Sequence, residues 1–247
     1  MPRLDVQIPT ADGHSNASLH IPDSEGPHPG VLMFPDAGGL REIFRQMGDH
    51  LAGLGFVTLI PDTYYRAGDW APFDIATVFT DKEERARLGS LMGSLTNEAI
   101  LADAGAYAEF LLGRPEVSGE RIGTTGYCLG GYMSMVTATG LGETIGAAAS
   151  FHGGRLAVAD VPTSPHLAAD GIRATVYVAG AQKDNSFTAE QAELLDNALT
   201  AAGVDHTVEF YPAEHGFAVA DNPTYDAVAA ARHWAALAHL YGSQLTN

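Results

Sequence analysis

Short runs rich in valine, isoleucine, leucine and threonine alternate along this chain with longer stretches whose apolar positions recur every three or four residues. The short runs have strand character and the longer ones helix character. Residues 4–8 and 17–21 form an opening pair of strands, and residues 30–34 a buried strand. Residues 39–54 carry an amphipathic helical pattern that leads into a strand over 56–60. An irregular stretch follows from 62 to about 79, then helical patterns through 85 and again over 98–112. Strands are expected over 121–127, 147–151, 174–179 and 206–211, with helices over 129–139 and 224–241. Strands that alternate with helices build a mostly parallel central sheet with helices on both faces, the α/β class. No internal repeat or low-complexity linker divides the chain, so residues 1–247 are expected to form one domain.

The one cysteine lies inside Gly126-Tyr127-Cys128-Leu129-Gly130-Gly131, between the strand over 121–127 and the helix over 129–139. A sharp strand-to-helix turn lifts its central residue above the sheet, and glycines on either side let strand and helix approach without Cβ collisions. Cys128 is therefore the candidate nucleophile; the competing reading is a small buried hydrophobe. In hydrolases built on such a turn the nucleophile, an acid and a histidine follow in chain order, the last two on loops after late strands. Asp184 follows the strand over 174–179, and His215 follows the strand over 206–211. His152 also follows a strand end and is the rival base. His14, His28, His50 and His166 sit in polar or loop-like surroundings, and His233 and His239 in the terminal helix. The Leu129 amide supplies half of an oxyanion hole, and the loop Asp36-Ala37-Gly38-Gly39 offers Ala37 as the second donor.

These motifs resemble the dienelactone hydrolase family, a branch of the α/β hydrolases whose nucleophile turn carries cysteine in a G-Y-C-x-G-G setting. The likeness also includes Val31-Leu32-Met33-Phe34-Pro35-Asp36, the run from Phe56 to Tyr64, the strand before Asp184, and His215-Gly216-Phe217. It covers most of the chain. It implies the α/β-hydrolase fold and hydrolysis of a small ester or lactone through a Cys128-His215-Asp184 triad and a thioester acyl-enzyme. A family acid close to the thiol is matched by Asp36 with a shorter arm, where the alternative is a helix N-cap. The family's arginine shortly after the histidine is absent, because the chain runs into Val219. Its second arginine is matched by Arg85 or Arg87, although their setting in Asp81-Lys82-Glu83-Glu84-Arg85-Ala86-Arg87 favours surface charges. The missing anchor points to a less polar or differently charged ester. The aromatic segment places Tyr64 and Trp70 in a pocket wall, or else over the edge of the core. Two other functions fit the same residues: a thioesterase, and a non-catalytic redox-sensing protein on a hydrolase scaffold.

Composition narrows the field. Thirty acidic against thirteen basic residues give a net charge of -17. Nucleic acid is excluded as a partner, since phosphate binding needs a basic footprint. A lone cysteine cannot form an internal disulfide, and a reactive thiol suits a reducing compartment, so a cytoplasmic location is expected. Met1 to Asp5 lacks the apolar core of a secretory signal. Residues 122–142 are uncharged, but their glycines and threonines fit a buried strand, turn and helix, so no membrane span is expected. No metal-ligand spacing or phosphate-binding glycine loop appears, and no cofactor or metal is expected. Nothing in the sequence sets the oligomeric state.

Overall fold

The structure, a computed structural model, describes residues 2–246; Met1 and Asn247, which the sequence reading includes in its one domain, lie outside the described residues. Strands β1 (Arg3–Thr10) and β2 (Gly13–His20) form an antiparallel hairpin. There follow β3 (His28–Phe34), helix α1 (Glu42–Gly53), β4 (Val57–Pro61), α2 (Lys82–Gly93), α3 (Asn97–Leu112) and β5 (Val117–Tyr127). The second half comprises α4 (Leu129–Leu141), β6 (Ile145–Phe151), β7 (Thr175–Lys183), α5 (Ala189–Ala201), β8 (His206–Glu214) and α6 (Ala227–Gln244).

All eight strands join one sheet in the order β1-β2-β4-β3-β5-β6-β7-β8. Pairing is parallel from β4 to β8 and antiparallel only where β2 meets β1 and β4. The central strands read as continuous apolar runs because both of their faces are covered. In β3, Leu32 and Phe34 join the core with residues of α3 and α4, while Val31 and Met33 join the opposite core with residues of α1 and α6. Successive side chains point to opposite faces, so a two-sided core needs this alternation.

Two features depart from the expected elements. Helix α5, for which the sequence reading has no counterpart, starts at a capping box. The Thr188 hydroxyl accepts the Gln191 N–H, and the Gln191 side chain accepts the Thr188 N–H. The aromatic segment after β4 packs on itself and on α2, forming a third apolar cluster of Ala37, Tyr64, Phe73, Ile75, Val78 and Leu88. Among the described residues no helix is long and apolar enough to cross a membrane.

One buried constellation imitates a catalytic triad without its access. His20 bonds Asp49 through Nδ1 at 2.7 Å and meets Ser18 Oγ through Nε2 at 2.9 Å. Ser18 and His20 are both fully buried, and Ser18 also accepts from Arg45, so the set pins α1 to β2.

Candidate active site

The turn after β5 is shaped by what glycine permits. A Cβ on Gly126 would fall 1.9 Å from the Gly130 carbonyl oxygen, and one on Gly130 would fall 2.2 Å from the Phe34 carbonyl oxygen. Only glycine lets β5, α4 and β3 meet so closely. Between these contacts Cys128 adopts φ 54° and ψ −115°, a conformation that side chains disfavour and that concentrates at functional sites. The thiol is half-buried and lines a cavity of about 660 Å³ together with His215, Leu129, Tyr132, Met92 and Arg155. A volume in this range suits a small organic ligand.

The loops after β7 and β8 bring the acid and the histidine together. His215 Nδ1 donates to Asp184 Oδ2 at 2.6 Å. The other oxygen of Asp184, a nearly buried carboxylate, accepts both the backbone N–H and the hydroxyl of Ser186 at 2.7 Å. Ser186 Oγ also lies 3.3 Å from His215 Nδ1. The His215 carbonyl accepts from the Thr224 hydroxyl, which fixes the backbone behind the ring.

Burial disfavours the charged form of His215, but hydrogen bonds to Asp184 and to the Cys128 side chain, with the negative charges of both, raise its pKa to about 10. The ring is thus held between acid and sulfur. Burial pushes the Asp184 carboxyl upward; the hydrogen bond and charge of His215, helped by Ser186, more than offset this and leave it below its ordinary value.

Among the described residues no protein acceptor takes the amide hydrogen of Leu129 or Ala37. Tyr64 is buried and donates its hydroxyl hydrogen to the Ala37 carbonyl at 3.0 Å. Burial, and then the charges of Asp36 and Cys128, raise the pKa of this phenol, so it remains a donor. Tyr64 therefore braces the Ala37 loop from behind and does not line the cavity, which corrects the pocket-wall expectation.

Four other expected residues also lie away from the cavity. Trp70 bonds the Asp62 carboxylate at 3.0 Å and packs its ring against Tyr64 and Phe73. The aromatic segment buries its rings against one another, so Trp70 opens onto a separate surface cleft shared with Arg87. Arg87 pairs with Glu84, donates to the Ala71 carbonyl and lies 3.7 Å over the Phe73 ring. Arg85 is exposed on α2, outside the cavity. Asp36 is buried, but its carboxylate is held in a fork by Arg41 at 2.6 and 2.9 Å and accepts the Gly38 N–H. Arg41 in turn pairs with Asp221, so the Asp36 charge is taken up by this arginine, and none of the hydrogen bonds of Asp36 goes to Cys128. It is no N-cap either: Arg41 occupies that position of α1, without a side-chain bond.

Sequence reasoning missed Arg155. This residue follows β6, holds φ 58°, and is fixed by its N–H on the Ser186 carbonyl at 3.1 Å. In so acidic a chain most arginines find carboxylates, as Arg3, Arg41, Arg66, Arg114 and Arg232 do. Arg155 has no ion pair among the described residues and is the cation that lines the cavity. The available signal was its place just beyond a strand's C-terminus, where such sheets bind ligands. Val219, by contrast, is sealed in the core.

His152 does not compete for Asp184. Its ring is buried, with Nδ1 accepting the Cys128 backbone N–H at 3.1 Å. Among the described residues no group of three or more His, Cys, Asp or Glu could hold a metal ion.

Comparison with known proteins extends the geometry. The residue pattern of the Dienelactone hydrolase family matches residues 16–245. A Synechocystis sp. protein provisionally named carboxymethylenebutenolidase is 28% identical over 243 residues, covering 97% of this chain and 96% of its own. A Pseudomonas sp. protein named carboxymethylenebutenolidase is 28% identical over 215 residues, covering 86% of this chain and 83% of its own. A crystal structure from Klebsiella pneumoniae, provisionally called a dienelactone hydrolase, superposes with a TM-score of 0.83 at 23% identity over 98% of both chains, a likeness of fold.

Proposed function

The chain belongs to the dienelactone hydrolase family of α/β hydrolases, and from that premise we propose that it cleaves a small activated ester or lactone through Cys128, His215 and Asp184. The observation that carries this reading is the imidazole of His215 bonded to Asp184 at 2.6 Å and lining the same cavity as the Cys128 side chain.

The Cys128 thiolate attacks the acyl carbon while His215 stands beside it as imidazolium. The Leu129 and Ala37 amides receive the developing oxyanion, a contribution worth roughly a hundred- to a thousandfold per donor in comparable sites. Collapse of the tetrahedral intermediate breaks the carbon–oxygen bond of the ester, and His215 gives its proton to the departing oxygen. A thioester remains on Cys128. The sulfur is now neutral, so His215 loses the charge and hydrogen bond that held its proton, while its burial persists. Its pKa falls, and the ring can take a proton from water for deacylation. Asp184 keeps Nδ1 protonated throughout and leaves Nε2 to do the transfer.

Sulfur is a good nucleophile and a good leaving group, so enol esters and enol lactones suit it better than amides. The preference for a less polar or differently charged ester expected from Val219 gives way in this reading to Arg155, whose guanidinium, without an ion pair among the described residues, supports an acidic group on the substrate. The carboxymethylenebutenolidase names of the relatives agree with an acidic lactone. The test is a series of enol lactones and aryl esters, with and without a carboxylate, given to the wild type, Cys128→Ala and His215→Ala. Both variants are expected to lose at least about a thousandfold in kcat. Equal rates in all three would refute the assignment.

A further inference from the structure

His152 takes no part in these steps, yet its side chain is wedged between the two groups that perform them. It follows β6 with φ 40°, and its backbone N–H donates to the Ala179 carbonyl at 2.8 Å. The ring is 1% exposed. Nδ1 accepts the Cys128 N–H at 3.1 Å, and the ring meets His215 edge to face at 5.1 Å and Phe217 at 5.0 Å.

An imidazole nitrogen that accepts carries no hydrogen, so the proton of neutral His152 sits on Nε2. That atom is buried and has no hydrogen-bond partner among the described residues. An unpaired buried donor costs as much as a lost hydrogen bond, and its presence calls for an explanation. Phenylalanine would fill nearly the same volume without the orphan. What the imidazole adds is an acceptor aimed at the backbone of Cys128, a residue in a disfavoured conformation whose N–H is otherwise shared only with the Phe151 carbonyl at 3.1 Å. Burial keeps the ring neutral, and the positive charge of His215 acts in the same direction; Asp184 opposes it. A proton on Nδ1 would set N–H against N–H.

We infer that His152 is a positioning residue: its Nδ1 holds the Cys128 amide while its ring packs against that of His215, keeping sulfur and imidazole aligned for proton transfer. The kinetic part of this inference rests on the hydrolase reading above. The test compares His152→Phe, which keeps the bulk and removes the acceptor, with His152→Asn, whose Oδ1 restores an acceptor near the position of Nδ1. In His152→Phe, kcat is expected to fall about tenfold or more with KM within about twofold, because alignment enters the transition state and not substrate binding. The rate of Cys128 alkylation by iodoacetamide should fall with it, and His152→Asn should recover most of both. In the wild type, nitrogen-15 NMR should show His152 with bare Nδ1 and protonated Nε2 across neutral pH.

The inference is overturned by wild-type kcat and alkylation in His152→Phe, by equal losses in both variants at unchanged melting temperature, or by a proton on Nδ1. If His152→Phe does not fold, the asparagine variant and the spectrum decide. A wild type that hydrolyses no ester removes the proposed function, while alkylation rates and the spectrum still judge His152.

Discussion

Tyr64 donates its hydroxyl hydrogen to the Ala37 carbonyl across 3.0 Å. The link turns a buried aromatic into a brace for a proposed oxyanion donor. Tyr64→Phe should leave the Ala37 carbonyl without this partner and destabilise the protein by about 1–3 kcal/mol. Because Ala37 is then held less firmly, its N–H in the adjoining peptide is less well placed, and kcat should drop several-fold with little change in KM. Urea unfolding and steady-state kinetics on one aryl ester check both parts.

The pH response follows from the raised pKa of His215. Departure of the oxygen needs the imidazolium, so kcat/KM should fall as pH passes about 10. The stability sign is the same. A histidine raised from 6.5 to about 10 stabilises the fold fully below pH 6.5, and this contribution is lost as pH rises through about 10. Asp184→Asn removes one of the supports of the proton and should move the alkaline fall to lower pH. A wild-type fall centred near 6.5 would contradict the coupling.

Arg155 should govern the charge preference of the cavity. Arg155→Gln is expected to reduce the ratio of kcat/KM for a carboxylated ester to that for its neutral analogue by about tenfold or more, the worth of a charged hydrogen bond. Arg155→Glu should reduce it further and favour a cationic ester. Arg85→Gln should leave the ratio alone, since that side chain is exposed outside the cavity. Paired substrate kinetics decide; a ratio unchanged in both Arg155 variants would remove the anchor.

Two glycine substitutions should have opposite outcomes. Gly126→Ala puts a methyl group 1.9 Å from the Gly130 carbonyl oxygen and should abolish activity or folding. Gly89 lies in α2 with nothing within 4 Å of a Cβ, so Gly89→Ala should stabilise by up to about 1 kcal/mol. Thermal melting of the two variants separates a steric requirement from a helix-propensity effect.

The order of strands and helices was legible because the buried runs of β3 to β7 are short and their glycine and proline punctuation is local. The nucleophile turn was legible for the same reason: Gly126, Cys128 and Gly130 must be neighbours in the chain to make it. Helix α5 carried a readable start in Thr188 and Gln191, but its first residues alternate polar and apolar without a strong stripe. Partnerships between distant loops were not legible. Nothing near Asp36 announces that Arg41 takes its charge, or that Asp221, 180 residues beyond Arg41, shares that arginine. The aromatic run after β4 showed its composition but not its direction, so Tyr64 and Trp70 read as pocket residues although their rings pack against each other. Arg155 reads as an ordinary loop cation until the fold shows that, among the described residues, no carboxylate pairs with it.

The covalent step is tested most directly by stopping the reaction with a slow-turnover activated ester inside the first turnover and weighing the intact protein. The mass is expected to rise by one acyl group, the label to map to the peptide carrying Cys128, and both to vanish in Cys128→Ala. Hydrolysis at the wild-type rate in Cys128→Ala, or an acyl group carried by any other residue, would contradict it.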